Sequence, residues 1–170
     1  MGEGEMRLLA LDPSLSYIGW ALFDTDSNPD LKRHGAHGPS GDTLDDKLAD
    51  AARWLDWLEP HLRYLEVLAI EVPVMYMNAK TTIALAQLCG VLRYSAYSWS
   101  ERTIEILPAQ RLTVLGLNAN LKRAVAKREV LRLVNAIYSL ELTAKDNDAA
   151  DAIAVGFAAI RKLKLEGAGL

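Results

Sequence analysis

Short apolar runs fill the first part of the chain, and longer segments with helical periodicity follow them. Residues 6–12 and 17–24 are apolar runs separated by Pro13-Ser14-Leu15-Ser16, a turn signal that predicts a β-hairpin. Short apolar runs of this kind alternate along the chain with segments whose apolar residues recur at helical spacing. This alternation is typical of an α/β layer. Further strands are predicted at residues 31–37 (a weaker edge strand), 66–71 and 103–107.

Helical spacing of apolar residues predicts the second kind of element. A helix capped by Asp42 or Thr43 runs to Leu65, because its leucines and alanines recur every three or four positions. Further helices are predicted at residues 78–98, 125–139 and 148–164. We expect one domain over residues 1–165 and a disordered tail at 166–170.

Composition supports a single globular domain. The chain has 170 residues, of which 51% are hydrophobic and 24% are charged, enough to bury a core without disulfides. Its one cysteine, Cys89, excludes a disulfide or a cysteine-based metal site within one chain. Nothing at the N-terminus has the order of a signal peptide, and no apolar run approaches the roughly 18 residues that cross a bilayer. These features predict a cytoplasmic protein with no membrane partner.

The net charge of −3 hides a segregation of charge along the chain. Residues 1–60 carry twelve acidic against five basic residues, a balance of −7, whereas residues 108–137 carry six basic residues against Glu129, a balance of +5. Clustered cations attract backbone phosphates, although a solvated helix face explains such a run equally well.

Carboxylates stand where apolar residues would be expected. Asp12 and Glu71 each close an apolar strand, and Asp148 and Asp151 lie at the start of the apolar last helix. An ionised carboxylate in such surroundings is costly unless it is paired or binds a metal. Oxygen-rich clusters select hard cations such as magnesium, so the pattern predicts a divalent-metal site.

The last helix supplies the expected geometry. Asp148 and Asp151 continue the stripe of Ala152, Val155 and Ala159 by the i, i+3, i+4, i+7 rule, so both acids should face the sheet. Alanines around them would let the helix approach the strand that carries Asp12. Four acids at such short range repel one another unless cations neutralise them.

Each acid also has an ordinary explanation. Asp12-Pro13-Ser14 could be only a turn. Asp148 could be a helix N-cap, with Asp151 as its capping-box partner. Glu71 precedes Val72-Pro73 and has no turn or cap to serve.

The residues resemble the RuvC-type Holliday junction resolvases of the ribonuclease H-like superfamily. Three segments carry the resemblance in the family's order and spacing, across most of the chain. They are Leu9-Ala10-Leu11-Asp12-Pro13-Ser14 with Gly19-Trp20-Ala21-Leu22, then Ala69-Ile70-Glu71 with Asn78-Ala79, Leu85 to Gln87 and Gly90, and finally Asp148-Ala149-Ala150-Asp151-Ala152-Ile153-Ala154.

The resemblance implies a mixed five-stranded sheet flanked by helices and an endonuclease that cuts four-way junctions symmetrically on opposing strands. It implies two Mg²⁺ or Mn²⁺ ions held by Asp12, Glu71, Asp148 and Asp151, whose chemistry would be in-line phosphodiester hydrolysis. Arg111 and Lys127 match two catalytic family lysines near the scissile strand. The stretch between them is longer than in the family, so other basic residues nearby are alternative candidates for the positions of these lysines. Candidate DNA-binding residues are Arg111, Lys122, Arg123, Lys127 and Arg128.

Val74 stands where the family has a phenylalanine that stacks on a junction base. Tyr76 is the nearest aromatic residue that could stack instead, since base stacking tolerates any π surface. Asp146 is left open, either as a group that supports the metal ligands or as a loop acid.

The resemblance also implies a homodimer with one site per subunit, since two-fold symmetry places identical sites on opposing strands. The helix from Asn78 to Tyr97 is the predicted interface through its face of Leu85, Leu88, Cys89 and Leu92, with core packing as the alternative. A branch-migration complex stays open as a partner.

Two other functions stay open beside the resolvase. One is a ribonuclease H-like nuclease with the same acids that acts on another branched DNA or on RNA. The other is a module that binds branched DNA without cutting it.

Overall fold

The computed structural model describes residues 7–25, 30–62, 65–75 and 78–167. Strands and helices alternate along these residues as the hydrophobic pattern predicts. The strands are β1 (Arg7–Pro13), β2 (Ile18–Asp24), β3 (Asp30–His37), β4 (Leu65–Glu71) and β5 (Arg102–Ile106). The helices are α1 (Leu44–Leu62), α2 (Ala79–Ala96), α3 (Pro108–Val114), α4 (Arg123–Tyr138) and α5 (Asn147–Gly167), with a 3-10 turn at Ala144–Asp146 before α5.

The strands form one sheet in the order β3-β2-β1-β4-β5. The hairpin β1–β2 and the pair β2–β3 are antiparallel, whereas β4 lies parallel to both β1 and β5. The parallel pairs need crossover connections, which α1 and α2 supply. The predicted mixed five-stranded sheet is therefore confirmed.

Each face of the sheet has its own core because successive side chains of a strand point to opposite sides. On one face Leu9 and Leu11 of β1 pack with Leu55 of α1 and Leu88 of α2. On the other face the core is built from alternate strand positions and the three later helices. Its members include Leu8, Ala10, Ala21, Val67, Ala69, Ile104, Leu112, Val130, Ile153 and Val155.

Helix α5 is buried over most of its first four turns, which is why its sequence is so rich in alanine. It crosses β2 at close range. A Cβ added at Gly156 would lie 2.2 Å from a ring carbon of the fully buried Phe23. A side chain larger than hydrogen at this position would hold the helix away from the sheet.

The cap of α1 is Thr43, one of the two predicted candidates. Its Oγ1 accepts a hydrogen bond from the Asp46 N–H at 3.1 Å, and the Asp46 carboxylate accepts one from the Thr43 N–H at 3.1 Å. This reciprocal pair is a capping box, which satisfies two N–H groups at the helix start.

The structure differs from several sequence predictions. Helix α1 ends at Leu62, and Leu65, predicted as its last residue, begins β4. Helix α3 lies in a segment for which no element was predicted. Helix α5 extends to Gly167, and Glu166 forms an ion pair with Arg102, so the predicted tail at 166–170 begins inside a helix. Residues 168–170 of that tail lie outside the described residues.

The predicted interface face of α2 is wrong, and its core-packing alternative is right. Leu88, Cys89 and Leu92 are buried in the core between α2 and the sheet. Leucines at helical spacing fit either role, and the crossover between β4 and β5 decides that this face turns inward.

Within the described residues, the helices are too short or too polar to cross a lipid bilayer.

Asp50 ties helix α1 to the end of the edge strand β3. Its Oδ2 accepts a hydrogen bond from the Ser40 N–H at 3.1 Å and lies 2.9 Å from Nε2 of His37. The His37 ring stacks on Trp54 with centroids 4.7 Å apart. The backbone hydrogen bond from Ser40, followed by the Ser40 and His37 side chains, lowers the pKa of Asp50 to about 2.

We expect Asp50→Asn to lower the free energy of unfolding at neutral pH by about 1 kcal/mol, since a charge-assisted hydrogen bond is replaced by a neutral one. A carboxyl group whose pKa is depressed on folding stabilises the protein above its unfolded pKa of about 3.9, and this contribution is lost as the pH falls toward about 2. Urea unfolding at a series of pH values should therefore show a difference that shrinks between these limits. Asp56→Asn, on the exposed side of α1, is the control for the loss of one negative charge. An equal loss of stability in both variants would show that the contacts of Asp50 do not hold α1 to the end of β3.

Candidate active site

Asp12 and Glu71 lie side by side at the carboxyl ends of two parallel strands. Leu11 pairs with Ile70 in the register of β1 and β4, which places the next residue of each strand at the same edge of the sheet. Asp12 follows Leu8 and Ala10 by steps of two, and Glu71 follows Val67 and Ala69 in the same way. Both carboxylates therefore point to the face covered by α3, α4 and α5.

Helix α5 brings Asp148 and Asp151 to the same place. Gly19 of β2 is the direct partner of Asp12 in the hairpin, so it shares the face of that acid. A Cβ added at Gly19 would lie 1.9 Å from the Asp148 carbonyl oxygen and 3.3 Å from Cβ of Ala152. The missing side chain lets the first turn of α5 rest directly on the strand beside Asp12.

The alternative explanation of Asp148 and Asp151 as a capping pair is wrong, because α5 already begins at Asn147 and the capping box before it is formed by Thr143 and Asp146. Oδ2 of Asp146 accepts hydrogen bonds from the Thr143 N–H at 2.8 Å and from the Thr143 hydroxyl at 2.9 Å. The 3-10 turn that they cap leads straight into α5. Asp146 is thus the loop acid of the two roles left open, and the other two acids are available for chemistry.

The electrostatics show that the four acids share one pocket. Burial raises the pKa of Asp12 well above its usual value, and the charges of Glu71, Asp151 and Asp148 raise it further. Burial also raises the pKa of Glu71 to about 7, with Asp151 adding to the rise and Arg111 opposing it. Carboxylates that perturb each other in this way need a cation between them.

Two basic side chains reach the acids. Arg111 Nε lies 2.9 Å from Glu71 Oε2, and Arg111 Nη1 contacts Asp151 Oδ1. Lys127 Nζ lies 3.7 Å from Asp148 and 3.9 Å from Asp151. The structure therefore brings together all six residues predicted as catalytic.

The helix that carries Arg111 explains how a residue so far along the chain enters the site. Helix α3 starts directly after β5, whose end lies beside Glu71. Pro108 at its first position and the Gln110 side chain, which accepts the Leu107 N–H at 2.8 Å, begin the helix. Proline followed two residues later by glutamine was the available sequence signal for α3.

The remaining DNA-binding candidates lie outside the pocket. Lys122 and Arg123 are exposed at the start of α4, and Arg128 is exposed beside Glu129 at 3.5 Å. Tyr76 lies outside the described residues. The cations of the basic segment thus divide into a buried pair at the acids and an exposed group on α4.

Sequence reasoning did not assign Cys89 to the site, yet it lies beneath it. Its thiol donates a weak hydrogen bond to the Glu71 carbonyl oxygen at 3.7 Å. Burial raises the pKa of the thiol to about 12, with a contribution from the charge of Asp12. Cys89 is thus an inert support for the end of β4.

The donor set fits a hard divalent cation, although one side chain stands in the way. The ligating atoms would all be carboxylate oxygens, which Mg²⁺ and Mn²⁺ prefer. Oε2 of Glu71 is buried and lies 2.9 Å from Arg111 Nε. Among the described residues no three acidic, histidine or cysteine side chains already surround a common metal position, and Arg111 contacts both Glu71 and Asp151.

Known proteins resemble this chain over most of its length. The family model described as crossover junction endodeoxyribonuclease RuvC matches residues 8–159. The RuvC protein of Paenarthrobacter aurescens is 32% identical over 158 residues, which cover 88% of this chain and 78% of the relative. The RuvC protein of Helicobacter pylori (strain P12) is 30% identical over 161 residues, which cover 94% of this chain and 99% of the relative.

Among solved structures, T. thermophilus RuvC in complex with Holliday junction substrate superposes with a TM-score of 0.75. The sequence identity is 17%, and the match covers 94% of this chain and 96% of that chain. The shared fold is ribonuclease H-like, a mixed five-stranded sheet flanked by helices, which confirms the predicted fold class.

We expect Gly19→Ala to displace the start of α5 and with it Asp148 and Asp151. The added methyl group would overlap a backbone carbonyl that has no side-chain rotamer to relieve it, so the free energy of unfolding should fall by about 1–3 kcal/mol. Chemical denaturation measures the loss. Gly167→Ala, where an added Cβ meets nothing within 4 Å, is the matched control and should change little. Wild-type stability in the Gly19 variant would show that α5 does not rest on β2.

Proposed function

We infer, because this chain belongs to the RuvC family of crossover junction endodeoxyribonucleases, that it is a metal-dependent endonuclease which resolves Holliday junctions. Its relatives bear that name over nearly the whole length of the chain. The observation that carries the inference to individual residues is the convergence of four carboxylates at the ends of β1 and β4 and the start of α5.

We assign metal binding to Asp12, Glu71, Asp148 and Asp151. These acids supply only oxygen donors, and their mutual repulsion favours the capture of positive charge. Two bound Mg²⁺ or Mn²⁺ ions would lower the pKa of an attacking water and polarise the scissile phosphate. Asp12 is central in this assignment, since the other three acids all act on its charge.

Lys127 is suited to stabilise negative charge on the phosphate. Its ammonium group lies at the edge of the pocket, within 4 Å of two acids, and its side chain is one-third exposed. It can therefore stay close to the acids and still contact a phosphate that enters from solvent. Charge stabilisation of this kind acts where negative charge develops during the reaction.

The exposed cations of α4 form the proposed DNA-contacting surface. Arg123 and Arg128 lie on the same helix as Lys127, and Lys122 is its N-cap residue, so a DNA backbone bound along them would lead to the acids. Because the whole chain carries a charge of −3, binding must depend on this local surface. We propose that the substrate is branched DNA and that the enzyme acts in the cytoplasm.

We expect Asp12→Asn and Asp151→Asn to reduce cleavage of a four-way junction by at least about a hundredfold, because each removes a ligand charge from the pocket. Junction binding should change little, since the exposed cations are intact. Gel assays of nicking and of binding, with Mg²⁺ and with a chelator, measure the two effects. The control is Glu141→Gln, an exposed acid outside the pocket. Near-normal cleavage by Asp12→Asn in Mg²⁺ would contradict the site.

The substrate class is tested with the same assay. A four-way junction, a linear duplex, a fork and an RNA–DNA hybrid of matched sequence are incubated with the wild-type protein and Mg²⁺. We expect paired nicks on opposing strands of the junction. Preferential cutting of the hybrid or the fork would favour another ribonuclease H-like nuclease, and binding without cutting would favour a non-cleaving module.

We propose that the active form is a homodimer that uses the outer face of α2. Ile83, Tyr94 and Tyr97 are 61%, 83% and 82% exposed, although large apolar residues are usually covered. Gly90 lies between them on the same stripe, and a Cβ at Gly90 would meet nothing within 4 Å. Glycine lowers helix stability by about 1 kcal/mol relative to alanine, so its presence here suits the close approach of a second helix.

We expect the wild-type protein to sediment as a dimer at micromolar concentration. Tyr94→Glu should weaken the dimer by about tenfold or more, since an aromatic residue that becomes buried in an interface is a frequent hot spot. Leu165→Glu, at an exposed apolar residue near the end of α5, is the matched control. Sedimentation velocity measures both. A wild-type protein that stays monomeric would remove the dimer proposal and leave the metal site untouched.

A further inference from the structure

Arg111 is held inside the acidic pocket, a place that a DNA-binding arginine does not need. Its side chain is only 13% exposed, whereas the side chain of Arg128 on the neighbouring helix is 74% exposed. It contacts Glu71 through Nε and Asp151 through Nη1. One guanidinium thus spans two of the four proposed metal ligands.

The charges of the pocket explain why an arginine occupies this position. With all four acids ionised, Arg111 and Lys127 leave a balance of −2. Lys127 is farther from the acids, at 3.7 and 3.9 Å, and it contacts Asp148 and Asp151 but not Glu71. Without Arg111, Glu71 would be a buried carboxylate with no neutralising partner at hand, which is strongly destabilising.

Arg111 divides its contacts between two carboxylates. Its Nε lies 2.9 Å from Glu71 Oε2 and its Nη1 contacts Asp151 Oδ1, so each acid receives one nitrogen of the guanidinium. A guanidinium matched to a single carboxylate would instead use two parallel hydrogen bonds. Each carboxylate therefore keeps an oxygen that does not face Arg111, and a cation bound there could replace the arginine.

We propose that Arg111 is a resident counter-ion that competes with the divalent cation for Glu71 and Asp151 and leaves these carboxylates when the cation binds. The proposal rests on the proposed metal site. Its consequence is that Arg111 lowers the metal affinity of the protein in the absence of DNA. A phosphate that draws the guanidinium away would raise this affinity, which couples metal binding to substrate binding.

The test is calorimetric titration of Mn²⁺ into the intact protein without DNA, at mildly alkaline pH so that protons do not compete. We expect Arg111→Gln to bind Mn²⁺ at least about fivefold more tightly than the wild type, as in a typical coupling between competing ligands. Arg111→Lys should lie between the two, because a single ammonium cannot span both carboxylates. Arg161→Gln is the matched control, since it removes an equal charge from an exposed position of α5 that has no assigned role, and its affinity should match the wild type.

Thermal unfolding gives a readout that does not depend on calorimetry. Without Mn²⁺ we expect Arg111→Gln to melt below the wild type, and with Mn²⁺ the difference should shrink or reverse. A Gln variant that folds only when Mn²⁺ is present also supports the counter-ion. The counter-ion proposal is overturned if Arg111→Gln remains unfolded even with Mn²⁺ and Arg111→Lys binds Mn²⁺ with the affinity of the wild type.

Failure of this proposal is distinguishable from failure of the proposed function. If Asp151→Asn abolishes Mn²⁺ binding while Arg111→Gln and the wild type bind equally, the metal site stands and the counter-ion role falls. If neither the wild type nor Arg111→Gln binds Mn²⁺, the metal site itself is wrong. Tighter binding in both Arg111→Gln and Arg161→Gln would assign the effect to net charge and also overturn the proposal.

Discussion

Mutual repulsion among Asp12, Glu71, Asp148 and Asp151 is the constraint that organises this protein. Four carboxylates in a partly buried pocket are stable only when positive charge lies among them. Arg111 and Lys127 supply that charge in the structure, and divalent cations supply it in the proposed reaction. The uncompensated pocket is therefore unfavourable, and in the proposed function this repulsion is the source of its affinity for metal.

The same constraint shapes the packing around the site. Acids from two strands and one helix meet only if the helix lies almost on the sheet, and Gly19 and Gly156 provide that close approach. The alanines of α5 continue it along the helix. Core packing and site geometry therefore depend on the same small residues, so a change that fills this contact should affect stability and chemistry together.

The basic segment of the chain serves two purposes that its sequence does not separate. Arg111 and Lys127 turn into the pocket, whereas Lys122, Arg123 and Arg128 remain on the surface. Ile83, Tyr94 and Tyr97 are exposed apolar residues in and next to α2 and belong to neither group. In the proposed function, chemistry, DNA contact and self-association thus use different residues of one small domain.

The sequence by itself predicted the five strands in chain order and four of the five helices, and it singled out the four acids, whereas Arg111 and Lys127 were singled out only by the family resemblance. Apolar periodicity and strand-end carboxylates are local signals, and local signals are readable without a fold. It could not determine which side of α2 is buried, that Asp146 is the capping acid, or that α3 exists, because leucine stripes, helix-start acids and short helices each fit more than one arrangement.

Only the tertiary structure decided that Arg111 contacts Glu71 and Asp151 and is not exposed like Arg128. That position follows from the pairing of β5 with β4, which carries α3 to the end of the strand that holds Glu71. Contacts between residues 40 positions apart depend on strand pairing and helix packing, and no local pattern in the chain encodes them.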